Sequence, residues 1–374
     1  MSTNQNSMIT PDQKITFELS MLSNISAYAT NVDPKSIQAW TTAKTKQVLL
    51  EGEKYLGKWN LVWGPLVHVE KNAAANTMFM VQSNTSPNKF VIAIAGTNSQ
   101  SVYDWKVEDC KVRATNMVKW TSVVDFKESH MDLGKISEGT HIGLNILLGL
   151  RDPETGYRLL DLIPSILRSG GEIQVTGHSL GGALSPTLAL YLHDRFKNPA
   201  SKDYSPGYRG VVSCMATAGP TPGGKKWADH YNQQLGYNST RYWNVKDIVP
   251  HAWEERLLKE IPGLYEDFGI PKSDELIAAT DYAKSLAVFG EYTQAQGDGH
   301  MLYHKAFPLE GKNACVQFLN QAVKQHTTAY IEIFDIGEYW RMVEVITHAK
   351  PYPPATSCSL VSRLAQKQKE SAEA

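Results

Sequence analysis

Apolar positions along the chain form short strand-like runs that are separated by longer helix-like segments. Residues 90–95 are apolar throughout, which is typical of a strand buried on both faces of a sheet. Other runs with strand patterns occupy 59–69, 76–82, 172–176, 211–217 and 240–245. Helices are predicted over 14–55, 142–150, 157–167, 182–192, 225–235, 273–287 and 313–330. This alternation predicts an α/β fold, with a mostly parallel central sheet and helices on both faces.

The whole chain, 1–374, is interpreted as one domain of this class, and three of its segments stand apart. Residues 1–60 form an N-terminal helical and strand extension. Residues 106–139 are rich in charge and weakly patterned, and they are predicted to form a lid-like mobile cover. Residues 365–374 are polar and are predicted to be a flexible tail.

The segment Gly177-His178-Ser179-Leu180-Gly181 carries the clearest chemical signal, since it fits the G-x-S-x-G pattern of a nucleophile elbow. An apolar strand pattern precedes it and a helix pattern follows it, which is the order that the elbow requires. A serine hydroxyl is a poor nucleophile unless the fold holds it beside a base and beside oxyanion donors. We therefore predict that Ser179 is a nucleophile, rather than an ordinary residue in a strand-to-helix turn.

Polar residues follow three of the predicted strands: Thr97, Ser179 and Asp247. In open α/β sheets, ligands bind at the carboxyl ends of the strands, so these residues are expected at one rim. Asp247 is the candidate acid, because apolar residues and a proline follow it and stiffen its loop. Asp267 and Asp281 are its rivals, although both lie in less rigid sequence.

Five histidines follow Asp247, as the order serine, acid, histidine requires: His251, His300, His304, His326 and His348. His251 follows Asp247 so closely that the chain would have to fold straight back. His326 is predicted on a helix among polar residues. His300 and His304 lie in a glycine-flanked turn, and spacing alone does not separate them.

Composition and net charge limit the kinds of molecule that this protein is expected to bind. The 374 residues are 42% hydrophobic and 20% charged, with a formal net charge of −1, which gives no indication of a nucleic-acid or anionic-membrane partner. The N-terminus is polar, and no run is apolar and long enough to span a bilayer. We expect a cytoplasmic protein or one secreted without a leader. The four cysteines lack metal-binding spacing and are expected to be free thiols, with Cys214 buried.

The chain resembles the class 3 lipases, the fungal-type triacylglycerol lipases of the α/β-hydrolase superfamily. The resemblance rests on motifs in family order across residues 90–304: Ala95-Gly96-Thr97 followed by Trp105, His141-Ile142-Gly143-Leu144, Gly177 to Leu184, Gly219-Pro220-Thr221-Pro222-Gly223, Asp247-Ile248-Val249-Pro250, and His300-Met301-Leu302-Tyr303. The chain departs from the family at Ala95, where many members carry an arginine, and at 106–139, which is longer and more charged than the family's lid.

The resemblance implies a site and a reaction. It assigns Ser179 as nucleophile, Asp247 as acid and His300 as base, because the family's histidine precedes a tyrosine by three residues. It places the oxyanion hole at Thr97 and at the Leu180 backbone N–H. The implied activity is a lipase that cleaves acylglycerol esters through an acyl-enzyme, without cofactor or metal, on a lipid or other ester substrate at a lipid–water interface. Phospholipase A1, a short-chain esterase and a catalytically silent binding protein are the alternatives.

Overall fold

The computed structural model describes residues 9–30, 33–71, 73–96, 111–127, 131–349 and 353–373. Its helices are α1 Pro11–Ser23, α2 Pro34–Glu51, α3 Glu53–Leu56, α4 Trp120–Val123, α5 Glu138–Gly149, α6 Leu159–Arg168, α7 Leu180–Phe196, α8 Lys225–Leu235, α9 Glu255–Leu258, α10 Asp274–Ala287, α11 Ala314–His326, α12 Thr328–Ile333, α13 Gly337–Thr347 and α14 Ser359–Glu373. Its strands are β1 Trp59–Glu70, β2 Ala73–Ser83, β3 Lys89–Ile94, β4 Val118–Lys119, β5 Lys135–Ile136, β6 Glu172–His178, β7 Val211–Thr217, β8 Thr240–Asn244 and β9 His300–Leu302. Short 3-10 helices lie at Asn24–Tyr28, Ala114–Asn116, Gly236–Asn238, Ile261–Gly263 and Glu266–Phe268.

The main sheet has seven strands in the order β1-β2-β3-β6-β7-β8-β9. The first three strands pair antiparallel, and β3, β6, β7, β8 and β9 pair parallel. The parallel strands all end at one edge, so the residues that follow β3, β6 and β8 are brought toward each other. The predicted α/β fold with a mostly parallel sheet is therefore confirmed.

Alternate residues of the strands supply two cores, one on each face of the sheet. On one face, Ile92 and Ile94 pack with residues of α5, α6 and α7. On the other face, Val91 and Ala93 pack with residues of α1, α12 and α13. β3 is thus apolar after Lys89 because its residues 90–94 are buried on both faces. Among the described residues, no helix has the length and apolar character needed to cross a membrane.

Two predicted segments differ from the structure near the C-terminus. The predicted helix 313–330 ends at His326, and a new helix begins at Thr328. The tail that the sequence predicts as flexible is helical to Glu373 in α14, whose Leu364 and Ala365 are buried. The buried apolar residues Val361, Leu364 and Ala365 lie in the first half of this amphipathic helix, which contacts α10, and flexibility of the tail beyond them stays a prediction.

The described part of the segment 106–139 is anchored in the core rather than placed over a cavity. Trp120 is fully buried and donates from Nε1 to Asp194 Oδ2 at 2.7 Å, while Val124 and Phe126 belong to the same core. A side chain of this size, buried and hydrogen-bonded, holds its segment in place. Residues 106–110 and 128–130 lie outside the described residues, and the mobile cover predicted at 106–139 stays a prediction.

A disulfide joins Cys315 to Cys358, so the prediction of four free cysteines is wrong. The two residues lie 43 positions apart in sequence and their Cα atoms are 6.1 Å apart, because the C-terminal segment folds back against α11. Spacing of this kind carries no pairing signal in the sequence. Cys214 is a buried free thiol, as predicted, and burial raises its pKa to about 12. Cys110 lies outside the described residues.

We expect loss of this disulfide to lower the free energy of unfolding by about 4 kcal/mol, which is the loop-closure entropy of a cross-link of this span. The measurement is denaturant unfolding of the Cys315→Ser, Cys358→Ser double variant beside the wild type, with and without dithiothreitol. Reduction should destabilise the wild type and leave the double variant unchanged. A wild type whose unfolding midpoint is indifferent to the reductant would contradict the cross-link.

Candidate active site

Ser179 lies at a sharp turn between β6 and α7. Its backbone has φ 62° and ψ −126°, which is a strained conformation for a residue with a side chain and costs on the order of 1–3 kcal/mol. The turn is held by its backbone, since Ser179 N–H donates to Thr217 at 3.1 Å and its carbonyl accepts from Gly182 at 2.8 Å. Strain of this kind, over-determined by the surrounding structure, holds the hydroxyl out of the chain at the rim of the sheet.

The glycines around Ser179 are required by close backbone contacts. A Cβ at Gly177 would lie 2.3 Å from the Gly181 carbonyl oxygen, and a Cβ at Gly181 would lie 2.3 Å from the Ile94 carbonyl oxygen. Neither backbone atom can move away without disrupting the sheet or the helix. Glycine is therefore required at both positions of the elbow.

Two hydrogen bonds connect Ser179 to a histidine and then to a carboxylate. His326 Nε2 lies 2.8 Å from Ser179 Oγ, and His326 Nδ1 lies 2.8 Å from Asp247 Oδ2. All three side chains are at least nine-tenths buried, at 9%, 1% and 0% exposure in that order. This is the geometry of a nucleophile, a general base and an acid that fixes the tautomer of the base.

The Asp247 carboxylate is fully buried, and its hydrogen bonds compensate for that burial. Oδ1 accepts from the Val249 backbone N–H at 3.0 Å, and Oδ2 accepts from the Tyr330 hydroxyl at 2.9 Å as well as from His326. Tyr330 also accepts from the Asn244 backbone N–H at 2.9 Å. Burial, and next the charge of Asp247, raise the pKa of Tyr330 well above its usual value, so its hydroxyl remains a donor.

The histidine that contacts both Ser179 and Asp247 is His326. The structure therefore contradicts the choice of His300 as the base. His300 lies on β9, opposite Tyr242, and its ring stacks on the Tyr242 ring with centroids 4.9 Å apart. Among the described residues, no hydrogen bond joins His300 to Ser179 or Asp247. His300 is part of strand β9 and lies within the sheet. His326 is the last residue of α11, and it lies at the rim beside Ser179.

The other candidates are occupied elsewhere. His304 Nε2 lies 2.8 Å from Glu332 Oε2, and Asp267 accepts from Lys246 at 2.8 Å. Asp281 pairs with Lys284 at 3.2 Å on the surface of α10. The structure thus brings Ser179 and Asp247 together as predicted and leaves the rival acids apart from them.

A second histidine packs on the first. The His178 ring lies 4.7 Å from that of His326, and the ring of Tyr330 meets His178 edge-on at 5.2 Å. Burial, and next the neighbouring His326, hold the pKa of His178 well below its usual value. His178 is therefore a neutral packing surface that limits rotation of the His326 ring.

Of the two predicted oxyanion donors, Leu180 lies within the described residues and Thr97 does not. Leu180 is the first residue of α7, so its backbone N–H has no acceptor inside the helix. It directly follows Ser179, as the prediction requires. Thr97 lies outside the described residues, and its role stays a prediction. Gly96, the residue before it, lies against the elbow.

A cavity of about 510 Å³ opens onto Ser179 and His326. Its apolar lining is drawn from both ends of the chain and includes Met21, Ala27, Ala75, Ile331 and Trp340. Charged residues also line it: Glu310, Lys324, Glu332, Arg341 and Glu344. The N-terminal extension and the helices after β9 therefore build the binding space.

Sequence reasoning missed His326 because it treated 313–330 as one continuous helix. The helix in fact ends at His326, and Thr327 has the non-helical backbone angles φ −120° and ψ −77°. One feature of the sequence could have pointed to His326, because a tyrosine, Tyr330, follows it by four residues. In the structure, the Tyr330 hydroxyl donates to Asp247. The resemblance directed attention to a three-residue spacing, which only His300 satisfies.

Comparisons with known proteins show which family and which solved structures the chain is similar to. Residues 91–256 match the model of the lipase (class 3) family, a range that includes Ser179 and Asp247 but ends before His326. The crystal structure of M37 lipase superposes with a TM-score of 0.73 at 26% sequence identity, and the match covers 95% of this chain and 98% of M37 lipase. No curated protein matches the sequence closely enough to count as a relative.

Lipase II from Rhizopus niveus superposes more loosely, with a TM-score of 0.42 at 16% identity over 66% of this chain and 77% of the other. The family match and the M37 lipase structure confirm the resemblance that the sequence motifs indicate. The chain carries a class 3 lipase region at residues 91–256, it has the α/β-hydrolase fold, and it is a carboxylic ester hydrolase of the lipase type.

Proposed function

We propose that this protein is a serine hydrolase that cleaves acylglycerol esters through an acyl-enzyme. The observation that carries the proposal is the continuous hydrogen-bonded chain from Ser179 through His326 to Asp247, at the base of a cavity that is largely apolar. A cavity of about 510 Å³ is in the range of pockets that bind small molecules, here an acyl chain.

The proposed reaction has two halves. Ser179 Oγ attacks the ester carbonyl while His326 Nε2 takes its proton, and the tetrahedral intermediate places negative charge on the former carbonyl oxygen. The Leu180 N–H donates to that oxygen. His326 then gives the proton to the leaving alcohol, and an acyl-Ser179 ester remains. Water attacks this ester with His326 again as base, and the carboxylic acid leaves.

Two neighbours support the charge changes of His326 in this scheme. When His326 becomes an imidazolium, the Asp247 carboxylate stabilises it at 2.8 Å, and Tyr330 keeps that carboxylate oriented. His178 adds no second positive charge, because its pKa is held low. The proposal therefore needs a single proton to move between Ser179, His326 and the leaving group.

The test is hydrolysis of p-nitrophenyl esters whose acyl chains run from short to long, together with triacylglycerol and phosphatidylcholine substrates, above and below saturation. A lipase should prefer the longer chains and hydrolyse triacylglycerol. Preference for acetate or butyrate would favour a short-chain esterase, and release of fatty acid from phosphatidylcholine alone would favour a phospholipase A1. Absence of turnover on every ester, with Ser179 unlabelled by a fluorophosphonate, would indicate a silent binding protein.

We expect Asp247→Asn to fold normally and to lose about 10⁴ in kcat, because the amide favours the wrong tautomer of His326. The measurement is steady-state hydrolysis of the best p-nitrophenyl ester. Asp267→Asn is the matched control, since Asp267 pairs with Lys246 on the surface and should leave kcat unchanged. A near-native rate for Asp247→Asn would contradict its role as the acid.

The disulfide bears on where the protein works. Disulfides persist in oxidising compartments and are rare in the reducing cytosol. The Cys315–Cys358 bond therefore supports an oxidising environment over the cytoplasmic one.

A further inference from the structure

One side chain from the N-terminal extension reaches the strand end beside Ser179. Helix α1 ends at Ser23, and Asn24 opens the 3-10 helix that follows it. Asn24 Oδ1 accepts a hydrogen bond from the Gly96 backbone N–H at 2.7 Å. Asn24 also lines the cavity that contains Ser179. The residue lies outside the range 91–256 that matches the lipase family model.

Asn24 supplies an acceptor just where the sheet stops supplying one. Ala95 N–H still pairs with the Thr77 carbonyl of β2 at 2.9 Å, but Gly96 lies one residue beyond this last bond. A backbone N–H that is removed from water needs a partner. The Asn24 side chain takes the place of a neighbouring strand and continues the hydrogen bonding of β3 by one residue.

Gly96 is in close contact with the nucleophile elbow. A Cβ on Gly96 would lie 2.9 Å from the His178 carbonyl oxygen, 3.0 Å from Ser179 Cβ and 3.3 Å from Asn24 Oδ1. The glycine is thus enclosed between the elbow on one side and Asn24 on the other. Any shift of Asn24 frees the backbone at Gly96 to move relative to Ser179.

A hydrogen bond from the amide nitrogen of Asn24 fixes the orientation of its side chain. Its Nδ2 donates to the Ser20 carbonyl at 3.4 Å, which leaves the oxygen to face Gly96. The same 3-10 helix is tied to the sheet a second time, where the Thr77 hydroxyl donates to Ser26 Oγ at 2.7 Å. Ser23, the residue before Asn24, offers a matched comparison, since its hydroxyl donates to the same Ser20 carbonyl at 2.6 Å and Ser23 does not line the cavity.

We propose that Asn24 is a positioning residue for ester hydrolysis: its side-chain carbonyl holds Gly96 against the elbow and so fixes the backbone on the oxyanion side of Ser179. The inference rests on the proposed function. The residue after Gly96 in sequence is Thr97, to which the family resemblance assigns an oxyanion donor. Donors of this kind act only within a narrow distance of the developing charge, so their displacement lowers kcat more than it raises KM.

The experiment compares Asn24→Ala with Ser23→Ala on a saturating p-nitrophenyl ester, with rates expressed per active site titrated by a fluorophosphonate. We expect Asn24→Ala to lower kcat by about 10-fold or more with KM changed less than about twofold, since small misplacements of catalytic groups have effects of this size. Affinity for an alkylboronic acid, whose adduct with Ser179 mimics the charged tetrahedral intermediate, should fall by a similar factor. Ser23→Ala should keep kcat within about twofold of the wild type, because the Gly96 bond is intact.

Equal kcat values for Asn24→Ala and the wild type would overturn the proposal, and so would a loss in kcat that Ser23→Ala reproduces. If Asn24→Ala does not fold, Asn24→Ser retains a polar group at the end of α1 while shortening the acceptor, and it should show the same loss in kcat. Failure of the proposed function itself has a different signature, since the wild type would then neither hydrolyse esters nor be labelled at Ser179.

Discussion

Ser179→Ala is expected to lower kcat by about 10⁶, because removal of the nucleophile of a serine triad has an effect of this order. The reason lies in the geometry, since Ser179 Oγ lies 2.8 Å from Nε2 of His326, the proposed base. Binding and oxyanion stabilisation remain, so a residual rate above that of water is expected. The measurement is ester hydrolysis together with loss of fluorophosphonate labelling.

Ser185→Ala is the matched control for this variant. Ser185 is a fully buried serine on α7, the helix that begins just after Ser179, and it does not line the cavity. Its replacement by alanine should leave kcat and labelling close to those of the wild type. If Ser179→Ala retained more than a small fraction of the wild-type rate, another nucleophile would carry the reaction.

His326→Ala is expected to be as damaging as the serine variant, because the residues of a triad act as a unit. Without the imidazole, Ser179 Oγ loses the ring nitrogen that lies 2.8 Å away and takes its proton in the proposed reaction. The double variant Ser179→Ala, His326→Ala should then be no slower than either single variant. Steady-state kinetics on all three variants, with circular dichroism to confirm folding, provide the measurement.

His300→Ala distinguishes the structural assignment from the one that the motif resemblance implied. His300 stacks on Tyr242 at the end of β9, so its loss should reduce stability slightly and leave most of kcat. His304→Ala should also be mild, since His304 pairs with Glu332. Inactivation by His300→Ala with an active His326→Ala would restore the assignment from the motif and contradict the structure.

Local patterns predicted the parts of the site that are built locally. The elbow needs only a strand, two glycines, a serine and a helix in immediate succession, and all of these are visible between Glu172 and Phe196. Asp247 was predictable for a similar reason, because it comes directly after β8 in a loop stiffened by Pro250. The two residues meet at one rim because the parallel strands of the sheet end there.

The base was not predictable in the same way. His326 is 147 residues from Ser179 and 79 from Asp247, and it is positioned by the end of α11 rather than by a strand. Among several histidines, only the position of the end of α11 beside Ser179 and Asp247 selects one. The same holds for the Cys315–Cys358 bond, since the approach of two distant segments leaves no mark on local composition.

The sequence by itself determined the fold class and predicted Ser179 and Asp247 as nucleophile and acid, because these inferences depend on hydrophobic period and on local turn chemistry. Only the tertiary structure showed the contact of His326 with both residues, the cavity and the contact of Asn24 with Gly96. These features depend on contacts between segments that are far apart in the chain, such as the 72 residues between Asn24 and Gly96. Such contacts are set by how helices pack on both faces of the sheet, and that packing is a property of the whole chain.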